Sequence, residues 1–431
     1  MHYSVTTRSF FAILAMALVI SSCGRSDADQ DTVVTNPEAA QVIDNTAIAR
    51  IDSTLQQFVD AGDIAGISAL IYEDGDEAYF GAFGMADRRR DMPMNRKTIV
   101  QIYSMTKPVT GTALMQLYEK GTFDLDDPVS KHLPEFSGIS VYVGEDASGE
   151  PLLEEPRREM TIRDLTRHTA GFAPNSPETE AGRMFMDAEP MNMENTLTDM
   201  AEQLASVPLE YHPGERWVYG ISVDVQALLV ERLSGKPFAD YLDEHILAPL
   251  GMHETSYYLP EDDRIRFSGM YIRDSNDGTP TQQPDEDALY LNGHRWPLKP
   301  GGYGLVSTLD DYSRFAQMLV NEGKLGETRI LEPETVRLMA TNQLSDSVTD
   351  RSWLPTKGNV GFGINFAVRV GPQESPDDNY GEVGEFFWDG AASTLFWVDP
   401  KNKLTAVLFV QLMPYDEIGL HKSFRDAVYG R

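Results

Sequence analysis

The sequence predicts an α/β fold (α+β) in which an antiparallel sheet is flanked by helices and a helical domain is inserted. Three observations predict it. Strand patterns lie near both ends of the chain, helical patterns lie between them, and 41% of the 431 residues are hydrophobic, enough for a large core. The α/β part would therefore be discontinuous, at about 46–110 and 301–431, with the helical part at about 111–300.

The α/β part is predicted to open with a helix and a hairpin. Ile48, Ile51 and Leu55 recur at the spacing of an amphipathic helix. Residues 67–72 and 78–83 then have strand patterns, and the Asp-Gly pair between them is typical of a tight hairpin turn.

A second helix is predicted after Ser104, because apolar residues from Val109 to Tyr118 follow one helical face until Gly121, a C-cap residue. Pro108 disfavours helical geometry for the residue before it. The regular helix is therefore predicted to start late, with Ser104 in an irregular first turn.

The rest of the chain alternates short helices and loops before it returns to strands. Helices are predicted at 160–168, at 223–233 and after Thr308, whose spacing to Asp311 resembles a capping box. Residues 386–398 and 404–412 predict two adjacent strands separated by a turn at 399–402.

Ser104-Met-Thr-Lys107 is the segment that points to chemistry. Residues three apart on a helix share a face, so the amine of Lys107 can reach the hydroxyl of Ser104. A serine hydroxyl is a weak nucleophile and needs an adjacent base to take its proton. A lysine can be that base when its surroundings disfavour its charge.

This segment is the first of three motifs that resemble a known superfamily. In chain order the motifs are Ser104-Met-Thr-Lys107, Tyr219-Gly-Ile-Ser222 and Trp388-Asp-Gly390. They resemble the serine β-lactamase and penicillin-binding-protein superfamily, especially its class C β-lactamase-like branch with the family VIII carboxylesterases and D-aminopeptidases. The resemblance covers nearly the whole chain from about residue 46, and it implies an active site in the cleft between the α/β and helical parts.

The resemblance also implies a role for each matching residue. Ser104 would be the acylated nucleophile, Lys107 its general base, and Tyr219 the group that passes the proton to the leaving group. The backbone N–H groups of Ser104 and Ala391 would form the oxyanion hole.

The third motif departs from the family pattern. Many relatives have Lys-Thr-Gly there, and the lysine and threonine hold a substrate carboxylate, whereas this chain has Trp388, Asp389 and Gly390. An anion at Asp389 would repel a carboxylate, so neutral substrates are expected at a site that also includes Ser222. Ser222 or Ile221 stands where many relatives have Asn, so that polar contact stays open.

The predicted activity is acyl transfer to Ser104 followed by hydrolysis of small neutral carboxylic esters, without a metal or an organic cofactor. The alternatives are a D-amino-acid peptidase or amidase, a weak β-lactamase of the same fold, and a non-catalytic binding protein of the cell envelope. The sequence lacks Gly-x-Ser-x-Gly and His-Glu-x-x-His, which disfavours an α/β-hydrolase or a zinc hydrolase. His168, His212 and His294 are predicted to be structural or surface residues.

The N-terminal segment and the charge predict location and partners. Residues 1–22 have the pattern of a signal peptide ending in a bacterial lipoprotein box, which implies lipid attachment at Cys23 and a place in the cell envelope, held at the membrane by that lipid. Residues 23–45 are predicted to be an acidic tether. A net charge of −31 excludes nucleic acid as an expected partner, and the sequence carries no signal for oligomeric state.

Overall fold

One antiparallel sheet organises the fold, and both ends of the chain contribute strands to it. The computed structural model describes residues 41–431. The predicted signal peptide, Cys23 and the predicted tether up to residue 40 lie outside the described residues.

The helices and strands follow in chain order. The α-helices are α1 (Asn45–Asp60), α2 (Thr106–Glu119), α3 (Val129–His132), α4 (Ile162–Thr166), α5 (Glu180–Ala188), α6 (Leu197–Ala205), α7 (Ser222–Ser234), α8 (Phe238–Leu242), α9 (Ala248–Leu250), α10 (Asp285–Ala288), α11 (Leu309–Val320), α12 (Pro333–Met339) and α13 (Leu420–Tyr429). The strands are β1 (Gly66–Glu73), β2 (Asp76–Asp87), β3 (Met92–Pro93), β4 (Val100–Gln101), β5 (Val141–Glu145), β6 (Pro151–Glu154), β7 (Tyr271–Arg273), β8 (Pro280–Gln282), β9 (Val306–Ser307), β10 (Lys324–Leu325), β11 (Thr328–Arg329), β12 (Val360–Phe362), β13 (Ala367–Arg369), β14 (Phe386–Asp389), β15 (Leu395–Asp399), β16 (Leu404–Phe409) and β17 (Leu412–Met413). Short 3₁₀ turns cover Tyr103–Met105, Pro134–Phe136, Glu261–Arg266 and Leu354–Lys357, and a π-helical turn covers Asp243–Leu247.

The main sheet has the strand order β12-β13-β14-β15-β16-β1-β2-β3, and its neighbouring strands are antiparallel. The pairing of β1 with β16, in which Ser68 lies opposite Phe409, joins the two ends of the chain. Helices α3 to α10 lie in the chain between the two groups of strands. The predicted fold class, an antiparallel sheet flanked by helices with a helical insertion, is confirmed.

The opening helix and hairpin form where the pattern places them. Helix α1 buries Ile51 and Leu55, and the hairpin turn between β1 and β2 has Asp74 at φ 53° and Gly75 at φ 88°. Two consecutive positive φ values match the turns that favour Asp-Gly in hairpins. The packed chain begins slightly before the predicted boundary at residue 46, because Ile43 is buried and its N–H donates to Glu73.

Helix α2 starts late, as predicted. Ser104 lies in the 3₁₀ turn, and the α-helix begins at Thr106. Pro108 is the third residue of α2, where the backbone N–H has no partner inside a helix in any case. Most of α2 is buried, and it packs against α7, so the N-terminal part of α2, which follows Ser104, is held within the core.

The prediction of one strand over 386–398 is wrong. The segment forms two strands, β14 and β15, which pair antiparallel so that Phe386 faces Val398. The chain reverses over residues 390–394, where the Gly390 N–H donates to the Thr394 carbonyl and Ser393 has φ 64°. The turn consists of small residues with a strand pattern on either side, and its one turn signal is the Asp-Gly pair where β14 ends.

Within residues 41–431, no helix is both long and apolar enough to cross a bilayer.

Candidate active site

The start of α2 brings the hydroxyl of Ser104 and the amine of Lys107 together. Lys107 Nζ donates to Ser104 Oγ at 3.2 Å and to the Gly302 carbonyl at 2.7 Å. The 3₁₀ turn sets the hydroxyl just outside the first turn of α2, and Lys107 is buried behind it. Because Gly302 holds the amine from the other side, Lys107 has a fixed position next to the hydroxyl.

Tyr219 completes the group of predicted catalytic side chains. Its ring lies under Lys107 Nζ, with 4.5 Å between the nitrogen and the ring centroid. Its hydroxyl accepts a hydrogen bond of 3.2 Å from Trp388 Nε1. Tyr219 lies in the loop before α7, and α7 packs against α2, so the packing of two helices sets its position beside Ser104 and Lys107.

A buried aromatic cluster supports Tyr219 from behind. His168 packs on the Tyr219 ring at 4.8 Å between centroids, and Trp217 and Phe362 enclose the same imidazole. Neither nitrogen of His168 has a hydrogen-bond partner in the described chain, and burial holds the pKa of this imidazole well below its ordinary value, with the charge of Lys107 acting in the same direction. His168 is therefore neutral and serves as packing for Tyr219.

The turn between β14 and β15 presents Ala391 to the site. Ala391 is exposed, and among the hydrogen bonds of the described residues none uses its N–H. Gly390 is required beside it, because a Cβ there would lie 2.6 Å from the Ile102 carbonyl oxygen. This close approach brings the turn against the segment that leads into Ser104.

These groups open onto a cavity of about 400 Å³. It is lined by Ser104, Tyr219, Trp353, Thr356, Lys357, Asp389, Ala391 and Tyr415. Of the four residues predicted to bind substrate, only Asp389 belongs to the lining, and the other three lie outside it. Trp388 is buried behind Tyr219, Gly390 is buried in the turn, and Ser222 is buried as the first residue of α7.

Sequence reasoning missed Lys357, and this changes the interpretation of Asp389. The Lys357 ammonium forms an ion pair with the Asp389 carboxylate, and Tyr415 donates to the same carboxylate at 2.8 Å. The expectation that Asp389 would repel a substrate carboxylate did not include this cation, which lies against the same carboxylate. Lys357 lies in the 3₁₀ turn before β12, in a stretch without any motif, so only the fold reveals it.

Asp224 is a second residue that the motif analysis missed. It lies on α7, and its Oδ1 accepts the Gly302 N–H at 2.9 Å, so it holds the same glycine whose carbonyl binds Lys107. Burial raises the pKa of this carboxyl to about 6, although Lys107 and the neighbouring backbone N–H groups oppose the rise. The sequence contains one signal for this role, because Asp224 is an acidic residue among the mostly apolar residues of the buried helix α7.

Fold and site together define the class of protein as a serine hydrolase, and a lysine and a tyrosine lie beside Ser104 at its candidate site. The chain belongs to the Beta-lactamase family, whose model matches residues 51–429.

Individual relatives agree with this family. The chain is 32% identical to an uncharacterised protein of Mycobacterium tuberculosis, covering 84% of this chain and 89% of that protein. It is 28% identical to esterase EstB of Burkholderia gladioli, covering 92% and 98%. Among solved structures, EstCE1, described as a hydrolase with promiscuous acyltransferase activity, superposes with a TM-score of 0.71 at 26% identity, covering 89% and 99%.

Over residues 41–431, no three side chains of His, Cys, Asp or Glu are grouped in a way that could hold a metal ion.

Asp224→Asn tests the electrostatics of the site through stability. The carboxyl has an ordinary pKa of 3.8 and a pKa of about 6 in the folded chain, so the folded state binds the extra proton between these values. The stability of the native protein relative to the variant should therefore be greatest below about pH 4 and fall by roughly 3 kcal/mol as the pH rises to 6.

Urea unfolding of both proteins between pH 4 and 7 measures this difference. Asp346→Asn, on an exposed residue, is the matched control. A difference between native and Asp224→Asn protein that stays constant over this range would contradict the assignment of a raised pKa to Asp224.

Proposed function

We propose that the protein cleaves small neutral carboxylic esters through an acyl-enzyme at Ser104. The observation that supports this most directly is the contact of Lys107 Nζ with Ser104 Oγ, at 3.2 Å, in a cavity lined by Tyr219 and Ala391. A nucleophile, its base and a donor for the developing oxyanion are all needed for acyl transfer, and these residues supply them.

Acylation would begin when Ser104 Oγ attacks the ester carbonyl carbon and its proton moves to the amine of Lys107. The carbonyl oxygen gains the negative charge, and the N–H groups of Ser104 and Ala391 would stabilise it. Each such donor is worth about 3–4 kcal/mol, because it is fixed in place before the charge appears. The free N–H of Ala391 and its exposure support this role.

The leaving alkoxide then departs and takes a proton, which passes from Lys107 through the hydroxyl of Tyr219. Lys107 Nζ lies 4.5 Å from the centroid of the Tyr219 ring, so the two side chains are neighbours. Water would next attack the acyl carbonyl and give its proton to the same pair. The C–O bond to Ser104 breaks, the carboxylic acid leaves, and Ser104 recovers its proton.

The lining of the cavity supports a neutral ester as the substrate class. Lys357 and Asp389 are paired, so the wall that faces Ser104 carries no net charge from these two residues. Trp353 and Tyr415 contribute aromatic surface at the opening, where both are partly exposed. The similarity to the Burkholderia gladioli esterase agrees with this class.

Acyl transfer to an alcohol is a second candidate activity. The same acyl-enzyme would react with an alcohol in place of water, and the similar protein EstCE1 is described as having promiscuous acyltransferase activity. A cavity of about 400 Å³ has space for an acceptor beside a small acyl group. Adding butanol to the assay would show this activity as butyl ester formed at the expense of the free acid.

Hydrolysis of p-nitrophenyl butyrate by the mature protein and by Ser104→Ala tests the proposal. We expect activity in the native protein and a loss of about a thousandfold or more in the variant, because the nucleophile is removed. Ser137→Ala, on an exposed serine, is the control and should retain full activity.

The other outcomes separate the alternatives. Full activity in Ser104→Ala would contradict the assignment of the nucleophile. Inactivity of the native protein towards the ester, together with labelling of Ser104 by a fluorophosphonate, would favour a peptidase or amidase. Inactivity without labelling would favour a binding protein.

We also propose export and lipid attachment at Cys23, on the strength of the N-terminal sequence alone. Cys23 is the one cysteine in the chain and follows Ile20-Ser21-Ser22 after an apolar run. In a bacterial host, the native chain should incorporate labelled palmitate and fractionate with membranes. Cys23→Ser should do neither, and incorporation of label by that variant would contradict the proposal.

A further inference from the structure

We propose that the Lys357–Asp389 pair sets the charge preference of the cavity: Asp389 masks the Lys357 ammonium, so the site selects uncharged substrates over carboxylates. This inference rests on the proposed function of Ser104, and it names the residues that determine which substrates that site accepts. It predicts that a change at Asp389 alone uncovers a carboxylate-binding group.

The pair lies on the wall of the cavity that contains the nucleophile. Lys357, Asp389, Ser104 and Ala391 all line the same space. Asp389 is the last residue of β14 and is followed by the turn that carries Ala391. A charge at this position therefore acts on any group of a substrate that extends from Ser104 towards this wall.

Burial makes the charge balance of this wall important. The side chains of Lys357 and Asp389 are only 4% and 8% exposed. A charge at such a position is weakly screened by water and interacts strongly with a charge nearby. With both present, the attraction of a substrate carboxylate to Lys357 is offset by its repulsion from Asp389.

The Lys357 ammonium retains the capacity to bind another anion. Two of its three N–H groups have partners, one in the Asp389 carboxylate and one in the Tyr415 hydroxyl, at 2.8 Å. The rings of Trp353, Trp388 and Tyr415 surround the nitrogen at 4.6–5.2 Å from their centroids. The faces of aromatic rings attract a cation, so these rings would hold an ammonium in place without Asp389.

A purely structural role for the pair is the competing explanation. Tyr415 contacts His421 Nδ1 at 3.2 Å, and His421 Nε2 contacts the Ser393 carbonyl at 2.8 Å, within the turn that carries Ala391. If the pair only braced this turn, removing either charge would lower the activity towards all esters alike. If the pair sets the charge preference, removing either charge changes the relative activity towards charged and neutral esters. Removing Lys357 and removing Asp389 then change this ratio in opposite directions.

Two matched series of esters measure the charge preference on both sides of the scissile bond. On the acyl side, p-nitrophenyl butyrate is compared with p-nitrophenyl hemisuccinate, which carries a carboxylate in place of the terminal methyl group. On the alcohol side, p-tolyl butyrate is compared with 4-butyryloxybenzoate and with (4-butyryloxyphenyl)trimethylammonium. The quantity compared is the ratio of kcat/KM for the charged and the neutral ester, in each variant relative to the native protein.

Asp389→Asn should raise the carboxylate-to-neutral ratio by about tenfold or more in at least one series, because it leaves Lys357 unmasked. Lys357→Gln should lower that ratio and raise the ratio for the trimethylammonium ester, because it leaves Asp389 unpaired. The double variant Lys357→Gln/Asp389→Asn removes both charges and should return both ratios to within a few-fold of the native values.

The outcomes distinguish this inference from the proposed function. Suppose that p-nitrophenyl butyrate is hydrolysed in a Ser104-dependent manner but the charged-to-neutral kcat/KM ratios do not change in either single variant. The proposed charge preference is then wrong, and the pair only stabilises the turn. Shifts of the same sign in both single variants would also overturn it. Absence of Ser104-dependent hydrolysis in the native protein would contradict the proposed function itself.

Fluorophosphonate labelling of Ser104 and thermal unfolding show whether each variant keeps an assembled site. If one single variant fails to fold, the inference still requires the ratio to shift as stated in the other single variant and to stay near the native value in the double variant.

Discussion

The bonding of the Lys107 amine is the interaction on which the rest of the site depends. It links the hydroxyl of Ser104, the carbonyl of Gly302 and the ring of Tyr219. These partners come from three distant parts of the chain, which the packing of α2 and α7 brings together. Asp224 extends the arrangement by holding the N–H of Gly302, so a buried carboxyl positions the carbonyl that positions the amine.

The sheet supplies the other half of the site through one tight turn. The β14–β15 hairpin places Ala391 beside the nucleophile, and Gly390 permits the approach because a side chain would collide with the Ile102 carbonyl. The same strand ends in Asp389, which pairs with Lys357 from the segment before β12. Ala391 and Asp389 therefore lie close together, one in the turn and the other at the end of the strand before it.

The elements whose signal is local could be predicted from the sequence. The Asp74-Gly75 turn and the late start of α2 follow from residue chemistry, and the three motifs identified the family. The reversal within 386–398 was missed because strand patterns lie on both sides of its small residues. Lys357 was missed because its partner Asp389 is 32 residues away and no spacing connects them. Contacts that form only through tertiary packing leave no spacing pattern in the sequence.

The most direct test of the central claim is to quench turnover of p-nitrophenyl butyrate and analyse the protein by mass spectrometry. We expect a butyryl group on the peptide that contains Ser104. Tyr219→Phe should carry a greater amount of it, because the proposed deacylation step uses the tyrosine hydroxyl. A butyryl group on another residue, with none on Ser104 in either protein while product accumulates, would contradict the account.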